Sequence, residues 1–463
     1  MAHDLRSFLD QLKAARPQDY AEITREVDPA YEAIALLEML EKENRSPALV
    51  FHNLKGHDMP MVLNLTSSYD RLAMAIGTDQ EHMVEHFAKL AGEAKPLRWV
   101  DRADAPVKQV VRTEEAVDLY ELPFPVHNEL DAGQYLSSGV ALVRDPDTGE
   151  VNGGVYRHQV QGKDQLGWFV NPSNHGNYVR IRYEELKQPM DVAIVIGHHP
   201  ALLLAAASKI GGIGGELFIM GGLLQESVDV VQGETVDLPI PAHAEIVIEG
   251  KVFPGERHDE GPFGEWPRYY TGAGEKPYMK VTAITMRRDA MFQDVAPAMA
   301  EHHILGALPR MGSLYQRIKE VVPSVQNVSL PLSGGGRTFC YVSIKKSVNG
   351  EANRVGFVAL ATDPNIREVV VVDDDIDVFD EKQVLWARAT RFQADKDLAI
   401  IPNTVGAFLI PTSYDYKRTE KGPMETKMIF DATMPLPSDA FPKRTRANPE
   451  AVERMRIEDY LGS

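Results

Sequence analysis

The feature that most restricts the fold is an alternation of short apolar segments with helical ones in the last third of the chain. Strand patterns cover 339–344 and 369–372, and helical patterns cover 352–361 and 382–392. Such alternation is typical of parallel strands joined by crossover helices. The second strand pattern is four consecutive valines, as expected for a strand covered on both faces. We therefore predict a C-terminal α/β domain built on a parallel sheet.

The N-terminal part of the chain also mixes helix and strand patterns. Asp4 precedes four apolar residues at the spacing of one helix face, which predicts a capped helix with a buried stripe. Further along, apolar runs at 48–51 and 61–65 alternate with helical patterns at 31–40 and 81–94. This alternation predicts a small α/β segment. The stripe consists of Leu5, Phe8, Leu9 and Leu12.

The middle of the chain has a different pattern. Proline becomes frequent from about residue 105, and strand patterns follow at 192–196, 245–249 and 278–286. The turn sequence Asp145-Pro-Asp-Thr-Gly149 predicts a hairpin between two further strands. We expect this region to be mainly β and barrel-like.

The length of 463 residues suggests two or three domains, at roughly 100–200 residues each. The stretch Ser333-Gly-Gly-Gly336 is typical of a linker. The changes in pattern divide the chain into an N-terminal α/β segment at 1–105, a barrel domain at 106–315, a linker at 316–336 and a C-terminal α/β domain at 337–463.

Charge and cysteine content exclude several classes of function. A net charge of −18 argues against a sequence-independent grip on nucleic acid or on an anionic membrane, since both require a cationic face. The single cysteine, Cys340, excludes an internal disulfide and any metal site built from several thiolates. No apolar run approaches the roughly 18 residues of a membrane span, and the first residues lack the pattern of a secretory signal. We expect a cytoplasmic protein.

Familiar catalytic motifs are missing from the sequence. It contains no Walker phosphate loop, no His-Glu-x-x-His, no Cys-x-x-Cys and no Gly-x-Ser-x-Gly elbow. Gly211-Gly-Ile-Gly-Gly215 lacks the spacing of a dinucleotide-binding loop, which disfavours a nicotinamide cofactor. The acidic run at 373–377 fits either a metal site or a solvated connection between a strand and a helix.

The segment Asp259-Glu-Gly-Pro-Phe-Gly-Glu265 can hold two carboxylates together. Its two glycines and its proline enforce a loop that places Glu260 and Glu265 on one side of a turn. Two carboxylates a few Å apart in a dry site do not both ionise unless a cation intervenes, so one of them can serve as a general acid. The alternative is an ordinary surface turn that carries two glutamates.

A second cluster, Asn152-Gly-Gly-Val-Tyr-Arg157, precedes that loop in the chain. Arg157 could clamp a carboxylate or lie between the two glutamates, or it could form a surface ion pair. Asn152, His175 and Glu216 together offer an amide oxygen, an imidazole and a carboxylate, a set suited to Mn²⁺ or Mg²⁺. No spacing rule links these three residues, and His175 is equally consistent with a plain loop residue.

These clusters, in this order, closely resemble the motifs of the UbiD family of reversible decarboxylases, which use prenylated FMN. The similarity extends along most of the chain. The matching segments are Asn152-Gly-Gly-Val-Tyr-Arg157, Gly215-Glu-Leu-Phe-Ile-Met-Gly-Gly222, Pro241-Ala-His-Ala-Glu-Ile-Val-Ile-Glu-Gly250, Glu260-Gly-Pro-Phe-Gly-Glu265 and Lys427-Met-Ile-Phe-Asp431.

The resemblance implies an architecture and a cofactor site. It implies a middle domain like the flavin-binding split β-barrel, an N-terminal α/β segment packed on it, and a C-terminal α/β domain that mediates oligomerisation. It implies that Asn152 and Glu216, with His175 as the third ligand found in part of the family, hold Mn²⁺ or Mg²⁺ against the cofactor phosphate, with K⁺ as a further candidate ion. Lys427 resembles the family lysine that contacts this phosphate. The other implied cofactor contacts are Val155, Tyr156, Arg157, Phe169, Val170 and Asn174.

The resemblance also implies a catalytic role for Arg157, Glu260 and Glu265. Arg157 is expected to keep Glu260 ionised, while Glu265 holds the proton that is delivered to carbon after CO₂ leaves. Loss of CO₂ from an sp² carbon leaves an unstabilised carbanion, and the family meets this with the iminium form of the modified flavin, through a covalent adduct. A flavin prenyltransferase must supply that cofactor.

The substrate is expected to be an aromatic or heteroaromatic carboxylate. His302 and Arg310 have a separation that resembles that of furan-2,5-dicarboxylate decarboxylases, where a histidine and an arginine hold the second carboxylate. Arg310 could instead pair with a neighbouring acid, and Pro309 is expected to interrupt any helix there. Decarboxylation of furan-2,5-dicarboxylate to 2-furoate by a homo-oligomer, dimer or hexamer, is the favoured hypothesis.

Other substrates and other classes of protein remain as alternatives. Within the family, pyrrole-2-carboxylate, indole-carboxylate and hydroxybenzoate-type acids are alternative substrates. Outside it, a flavin-free metal-dependent hydrolase using Asn152, His175 and Glu216 is one alternative, and a non-catalytic flavin-binding protein is another.

Overall fold

The computed structural model describes residues 3–171, 174–208, 215–413 and 423–461. The N-terminal segment forms a sheet of three strands, Tyr20–Ile23, Ala48–Phe51 and Met61–Leu63, to which the strand Phe292–Gln293 of the middle domain adds at the edge. Only the pairing of Ala48–Phe51 with Met61–Leu63 is antiparallel. The predicted first helix is capped by Asp4, whose carboxylate accepts the Ser7 amide at 2.9 Å. The elements of this segment are α1 (Leu5–Ala15), β1 (Tyr20–Ile23), α2 (Glu32–Lys42), β2 (Ala48–Phe51), β3 (Met61–Leu63), α3 (Tyr69–Ala75), α4 (Met83–Ala91) and β4 (Arg98–Trp99).

The middle domain is a closed barrel of six strands with short helices and small hairpins attached. Closure requires β12 to pair with both β9 and β17. The elements are β5 (Val110–Thr113), β6 (Tyr135–Arg144), β7 (Val151–Gly162), β8 (Gln165–Gly167), α5 (His175–Leu186), β9 (Met190–Ile196), α6 (Pro200–Ala206), α7 (Glu216–Leu224), β10 (Asp229–Gln232), β11 (Pro239–Pro241), β12 (Ile246–Val252), β13 (His258–Glu260), β14 (Phe263–Gly264), β15 (Tyr270–Thr271), β16 (Gly274–Lys276), β17 (Tyr278–Met286) and β18 (Phe292–Gln293).

The barrel strands bury both of their faces, which explains their sequence pattern. Along β9, Val192 and Ile194 pack into one hydrophobic cluster while Ala193 and Val195 pack into another on the opposite face. Successive side chains of a strand point to opposite faces, so a strand covered on both sides, such as β9, is apolar along most of its length. The barrel expected from the sequence is therefore confirmed, and so is the hairpin at 145–149, which joins β6 to β7.

The C-terminal domain is a five-stranded sheet in the order β19-β20-β21-β23-β22. Its three central strands are parallel, as predicted, while β19 and β22 are antiparallel edges. The elements are α8 (Ala300–Val321), β19 (Val325–Ser329), β20 (Phe339–Ile344), α9 (Glu351–Thr362), β21 (Glu368–Asp373), α10 (Glu381–Arg391), α11 (Ala394–Asp397), β22 (Leu398–Val405), β23 (Met424–Ala432), α12 (Pro449–Arg454) and α13 (Glu458–Leu461).

Helix α8 runs without interruption through Pro309, contrary to our expectation. A proline inside a helix removes one backbone donor and crowds the preceding turn. Buried apolar residues on both sides of Pro309, among them Leu308 and Met311, anchor the helix in the main hydrophobic core. This packing outweighs the local penalty and keeps α8 continuous between the barrel and the C-terminal sheet.

The expected linker at 316–336 is instead part of the C-terminal domain. It contains the end of α8 and strand β19, and β19 pairs with β20. The glycines that suggested flexibility serve a tight turn, since Gly335 and Gly336 adopt φ values of +62° and +64°. Glycine reaches this left-handed region without steric strain.

The acidic run at 373–377 lies in the connection from β21 to α10, and Arg391 binds two of its carboxylates. Arg391 donates to Asp373 at 2.8 Å and to Asp375 at 2.8 and 2.6 Å. Across the described ranges, no group of three or more His, Cys, Asp and Glu side chains is arranged to hold a metal ion. Within the same ranges, none of the helices is both long and apolar enough to cross a membrane.

Candidate active site

The loop between β13 and β14 brings two glutamates to one arginine. Glu260 ends β13, and Glu265 directly follows β14. Between them Gly261 turns the backbone with φ +89°, at a point where a Cβ atom would lie 3.1 Å from the Gly272 carbonyl oxygen. Both glutamates therefore face Arg157, and neither lies on the surface turn that was the alternative interpretation.

Arg157, on β7, lies between the two carboxylates. Its Nε and Nη2 donate to Glu260 at 3.0 and 2.8 Å, and its Nη1 donates to Glu265 at 2.8 Å and to Thr271 Oγ1 at 2.9 Å. The side chains of Arg157, Glu260 and Glu265 are only 4%, 1% and 10% exposed. Burial alone would lower the pKa of Arg157, but the charges of Glu265 and Glu260 outweigh it and raise that pKa. We call these three residues the ionic triad.

Two aromatic rings fix the guanidinium group of the triad. The ring centre of Phe169 lies 3.8 Å from Arg157 Cζ, and that of Phe263 lies 4.8 Å away. Contacts between a guanidinium and an aromatic face are favourable, most of all when both are desolvated. Hydrogen bonds at its edges and aromatic rings over its plane thus hold Arg157 in place. Because both carboxylates are hydrogen-bonded to it, Arg157 fixes their positions as well.

A cavity of about 260 Å³ opens beside the triad, at the junction of the barrel, α8 and the C-terminal domain. This volume is slightly below the roughly 300 Å³ at which small-molecule pockets usually begin. Among the lining residues that sequence reasoning had selected are Val155, Tyr156, Arg157, Phe169, Asn174, Glu265, His302 and Arg310. Those it had not selected include Ser137, Asn171, Phe263, Trp266, Val295, Pro297, Leu305, Arg337, Asn365, Phe408 and Leu409.

Two of the three expected metal ligands form a buried pair next to the triad strand. Asn152 Nδ2 donates to Glu216 Oε1 at 2.8 Å, and the Gly153 amide donates to Glu216 Oε2 at 2.8 Å. Asn152 Oδ1 is buried and has no hydrogen-bond partner among the residues that the structure describes. Burial raises the pKa of Glu216 to about 7. An amide oxygen without a partner beside a buried carboxylate fits a divalent cation bound through oxygen.

The remaining selected residues lie around this pair or behind the cavity wall. His175 is the first residue of α5, and the next amide, that of Gly176, donates to Tyr156 Oη at 3.3 Å. Val170 packs at the edge of the barrel core. Lys427 Nζ donates to the Pro364 carbonyl at 2.8 Å, one residue before the lining residue Asn365. Of the glycine-rich loop at 211–215, only Gly215 falls within the described residues.

His302 and Arg310 lie on α8 and line the cavity opposite the triad. Burial lowers the pKa of His302 well below its ordinary value, so the ring is neutral. His302 Nδ1 accepts the Ala298 amide at 3.4 Å, which leaves its proton on Nε2. Arg310 forms an ion pair with Asp363, so the alternative of a neighbouring acid holds, although Arg310 also lines the cavity.

Sequence reasoning missed Arg337, which lies in the turn between β19 and β20 and lines the cavity beside Arg310. Its guanidinium carbon lies 5.0 Å from the ring centre of Trp266. The adjacent stretch Ser333–Gly336 is typical of a linker, and Arg337 belongs to none of the recognised motifs. A basic residue directly after three glycines was the available signal, because such glycines often allow close backbone packing.

Comparison with known domain families gives three matches in chain order. Residues 11–91 match the N-terminal domain of 3-octaprenyl-4-hydroxybenzoate carboxy-lyase, the domain family designated UbiD_N. Residues 98–300 match the Rift-related domain of the same enzyme, designated UbiD. Residues 303–432 match its C-terminal domain, designated UbiD_C.

Two characterised relatives are similar over nearly their full length. The anhydromevalonate phosphate decarboxylase of Methanothermobacter thermautotrophicus is 32% identical, over 94% of this chain and 97% of the relative. The phenolic acid decarboxylase of Sedimentibacter hydroxybenzoicus is 32% identical, over 96% of this chain and 94% of the relative.

Solved structures of a UbiD-class enzyme superpose over nearly the whole chain. The UbiD-class enzyme HmfF from Pelotomaculum thermopropionicum, in complex with FMN, superposes with a TM-score of 0.91 at 36% identity, covering 99% of this chain and 100% of that one. An evolved dimeric form of the same enzyme, in complex with prenylated FMN, superposes with a TM-score of 0.89 at the same coverage.

Proposed function

The chain belongs to the UbiD family of carboxy-lyases, and from that premise we propose that it catalyses the reversible, non-oxidative decarboxylation of an aromatic or heteroaromatic carboxylic acid with prenylated FMN. One observation carries the proposal. Arg157 is buried between Glu260 and Glu265, and Glu265 lines a cavity whose opposite wall is cationic. A proton-donating carboxylate beside an anion-binding wall fits a reaction in which a bound acid loses CO₂ and its carbon is then protonated.

The proposed cofactor site combines the metal pair with the barrel side of the cavity. Asn152 and Glu216, with His175, would hold Mn²⁺ or Mg²⁺, and K⁺ is a further candidate. Lys427 would neutralise the cofactor phosphate. Bound prenylated FMN supplies an electron sink for the carbon that loses CO₂. The remaining proposed cofactor contacts are Val155, Tyr156, Arg157, Phe169, Val170 and Asn174.

We assign the proton transfer to Glu265. The ionic triad has one guanidinium for two carboxylates, so the group as a whole can take up one proton. Glu260 accepts two hydrogen bonds from Arg157 and is 1% exposed, whereas Glu265 accepts one from Arg157 and lines the cavity. Glu260 therefore orients Arg157, and Glu265 is the carboxylate that can hold a proton next to substrate.

The favoured reaction is conversion of furan-2,5-dicarboxylate to 2-furoate. Its support is the charge of the substrate wall, where Arg310 and Arg337 face the cavity on a protein with a net charge of −18. Pyrrole-, indole- and hydroxybenzoate-type acids are alternative substrates. The phenolic acid decarboxylase among the relatives supports the hydroxybenzoate type.

The proposal includes three statements about the protein in the cell. A flavin prenyltransferase supplies the cofactor, the protein is cytoplasmic, and it forms a homo-oligomer, dimer or hexamer, through the C-terminal domain. Support for the oligomer is an evolved dimeric form of a relative that is 36% identical to this chain. Support for the cytoplasm is the single cysteine, Cys340, which is buried as a free thiol.

A reconstitution experiment tests the function directly. The protein is produced with and without a flavin prenyltransferase, and its bound cofactor is identified by native mass spectrometry. CO₂ release is then followed over a panel of furan, pyrrole, indole and hydroxybenzoate acids. We expect prenylated FMN in the co-produced protein and CO₂ release from at least one class of acid. Cofactor-loaded protein that releases CO₂ from none of them would contradict the proposal, and a colourless but hydrolytically active protein would favour the metal-dependent hydrolase.

A further inference from the structure

The barrel side of the cavity carries a serine that has no part in the proton transfer. Ser137 lies on β6, at a point where the register with β7 shifts between Leu136 and Gly139. Such a bulge leaves residues without a partner in the ladder and re-aims their side chains. Ser137 lines the cavity, and the amides of Ser137 and Ser138 bind a side chain from a distant part of the sequence.

That side chain is the carboxylate of Asp294, which directly follows β18. Its Oδ1 accepts the amides of Ser137 and Ser138 at 2.9 and 2.8 Å, and its Oδ2 accepts His127 Nε2 at 2.9 Å. The side chains of Asp294 and His127 are both 0% exposed. His127 in turn lies edge-on to Phe263, with 5.9 Å between the ring centres. Asp294 is therefore a buried carboxylate with several donors, fixed directly behind the cavity wall.

The hydroxyl of Ser137 has two acceptors beside it. Its Oγ lies 2.9 Å from Asp294 Oδ1, and it is also hydrogen-bonded to the Val295 carbonyl. A hydroxyl has one hydrogen and two lone pairs, so its hydrogen is directed to these oxygens and lone pairs are left for a ligand. A hydroxyl that donates to a carboxylate is also a stronger acceptor, because hydrogen bonds in a chain polarise one another. Toward the cavity, Ser137 therefore acts as a hydrogen-bond acceptor.

A serine, an aspartate and a histidine also make up a nucleophilic triad, but the contacts here have the wrong order for one. In such a triad the imidazole takes the proton of the serine. Here His127 is bonded to Asp294, and across the described residues no histidine is hydrogen-bonded to the Ser137 hydroxyl. The arrangement fixes the direction of the hydroxyl and does not activate it for attack.

We propose that Ser137 selects among substrates by accepting a hydrogen bond from an N–H or O–H group on the ring of the bound acid. A pyrrole or an indole supplies an N–H and a hydroxybenzoate supplies an O–H, whereas the oxygen of a furan can only accept. This inference rests on the proposed function and refines its choice of ring. Between two acids with the same carboxylates, the acid whose ring carries a donor is preferred over the furan. Asp294 and His127 are positioning residues, because they act through Ser137.

The test compares acids that differ in the ring donor. KM and kcat are measured for the cofactor-loaded protein with the 2,5-dicarboxylates of pyrrole, N-methylpyrrole and furan, and with 4-hydroxybenzoate and 4-methoxybenzoate. Binding of the same acids is measured by calorimetry on the FMN-bound protein. The variants are Ser137→Ala and Ser137→Thr, of which the second keeps the hydroxyl. The matched control is Ser138→Ala, which removes a neighbouring hydroxyl that donates to the Gln293 carbonyl at 2.9 Å.

We expect the wild type to prefer the acid that carries a donor, and Ser137→Ala to reduce this ratio of kcat/KM values by about 5- to 30-fold, the value of one buried hydrogen bond. The loss should fall on the donor-bearing acid, while the constants for the furan acid change little. Ser137→Thr and Ser138→Ala should both keep the wild-type ratio. A Ser137-dependent preference in the pyrrole series alone would identify N–H as the donor, and one in the benzoate series alone would identify O–H.

Further outcomes separate the inference from the function. If Ser137→Ala lowers kcat/KM by the same factor for every acid, or leaves every ratio unchanged, Ser137 does not read a ring donor and the inference is overturned. A wild type with no preference in either series overturns it without any variant. If the wild type releases no CO₂ but binds the donor-bearing acids more tightly, and Ser137→Ala removes that preference, the function fails while the inference stands. Thermal unfolding without ligand checks the fold of each variant.

Discussion

The two walls of the cavity carry opposite imbalances of charge. On the barrel wall, Arg157 serves two carboxylates, Glu260 and Glu265. On the α8 wall, Arg310 pairs with Asp363, whereas Arg337 has no carboxylate partner among the described residues. The barrel wall therefore has an excess of negative charge, and the α8 wall has an excess of positive charge. The difference shows how an acidic protein can accept an acidic ligand, because it concentrates a small positive excess at one end of one cavity.

The largest expected effect is on kcat, when the proton-donating carboxylate of the barrel wall is replaced. Glu265→Gln keeps the size and most hydrogen bonds of the side chain but cannot transfer a proton. We expect kcat to fall by about 10²- to 10⁴-fold, the usual contribution of a positioned general acid. Steady-state CO₂ release measures the loss, and flavin absorbance checks that cofactor is retained. The matched control is Glu275→Gln, an exposed glutamate in a neighbouring hairpin. A Glu265→Gln protein with full activity would end the assignment.

A second prediction contrasts arginines from the two walls. Arg157→Met leaves Glu260 and Glu265 buried without a cation, so we expect the free energy of unfolding to fall by about 3–5 kcal/mol. Arg337→Met removes a buried charge that has no carboxylate partner, so we expect unchanged or higher stability in the absence of ligand. Calorimetric unfolding of both variants gives the comparison. Equal destabilisation by the two substitutions would remove the proposed difference between the walls.

The smallest effect concerns pH and His303, which follows the cavity-lining residue His302 on α8. Burial is the main cause that lowers the pKa of His303 to about 4, from a usual 6.5, and Arg337 and Arg268 add to it. Its Nε2 donates to the Trp266 carbonyl at 2.8 Å, and His302, also neutral, is stacked beside it. Between pH 6.5 and about 4 the unfolded chain binds a proton there that the folded protein does not. Stability should therefore fall as the pH decreases through this window, by up to about 3 kcal/mol for this group.

Thermal unfolding between pH 7 and pH 5 measures that pH effect. We expect His303→Gln to flatten the dependence of unfolding temperature on pH. The control, His258→Gln, replaces an exposed histidine and should retain the wild-type slope. Equal slopes in all three proteins would mean that acid does not act through His303.

Local patterns determined most of the architecture in advance. The cap at Asp4, the valines of β21 and the hairpin between β6 and β7 all follow from short-range rules, and the structure confirms them. The errors arose where tertiary packing overrides a local preference. Pro309 is accommodated because core contacts hold α8 on both sides of it, and the glycines at 335 and 336 serve a turn whose partners are distant in the sequence.

The candidate site was predictable only where residues lie in compact motifs. The loop from Glu260 to Glu265 and the segment that ends at Arg157 each carry their chemistry within a few residues, and the resemblance to a family linked them. Arg337 lies 31 residues after Gly306, and only the fold shows that one fills the space left by the other. A glycine and an arginine that far apart form no motif that can be recognised in a single sequence.

The continuity of α8 has a consequence for how this enzyme can change over evolutionary time. The residues that would read the substrate are interleaved, on one helix, with residues that hold the main core together, such as Leu305 and Leu308. In enzymes that recognise ligands through surface loops, specificity can drift while the scaffold is left alone. Here a change in substrate preference alters a helix that also packs into the core. Mutations that broaden the substrate range should therefore usually need compensating mutations elsewhere in the core.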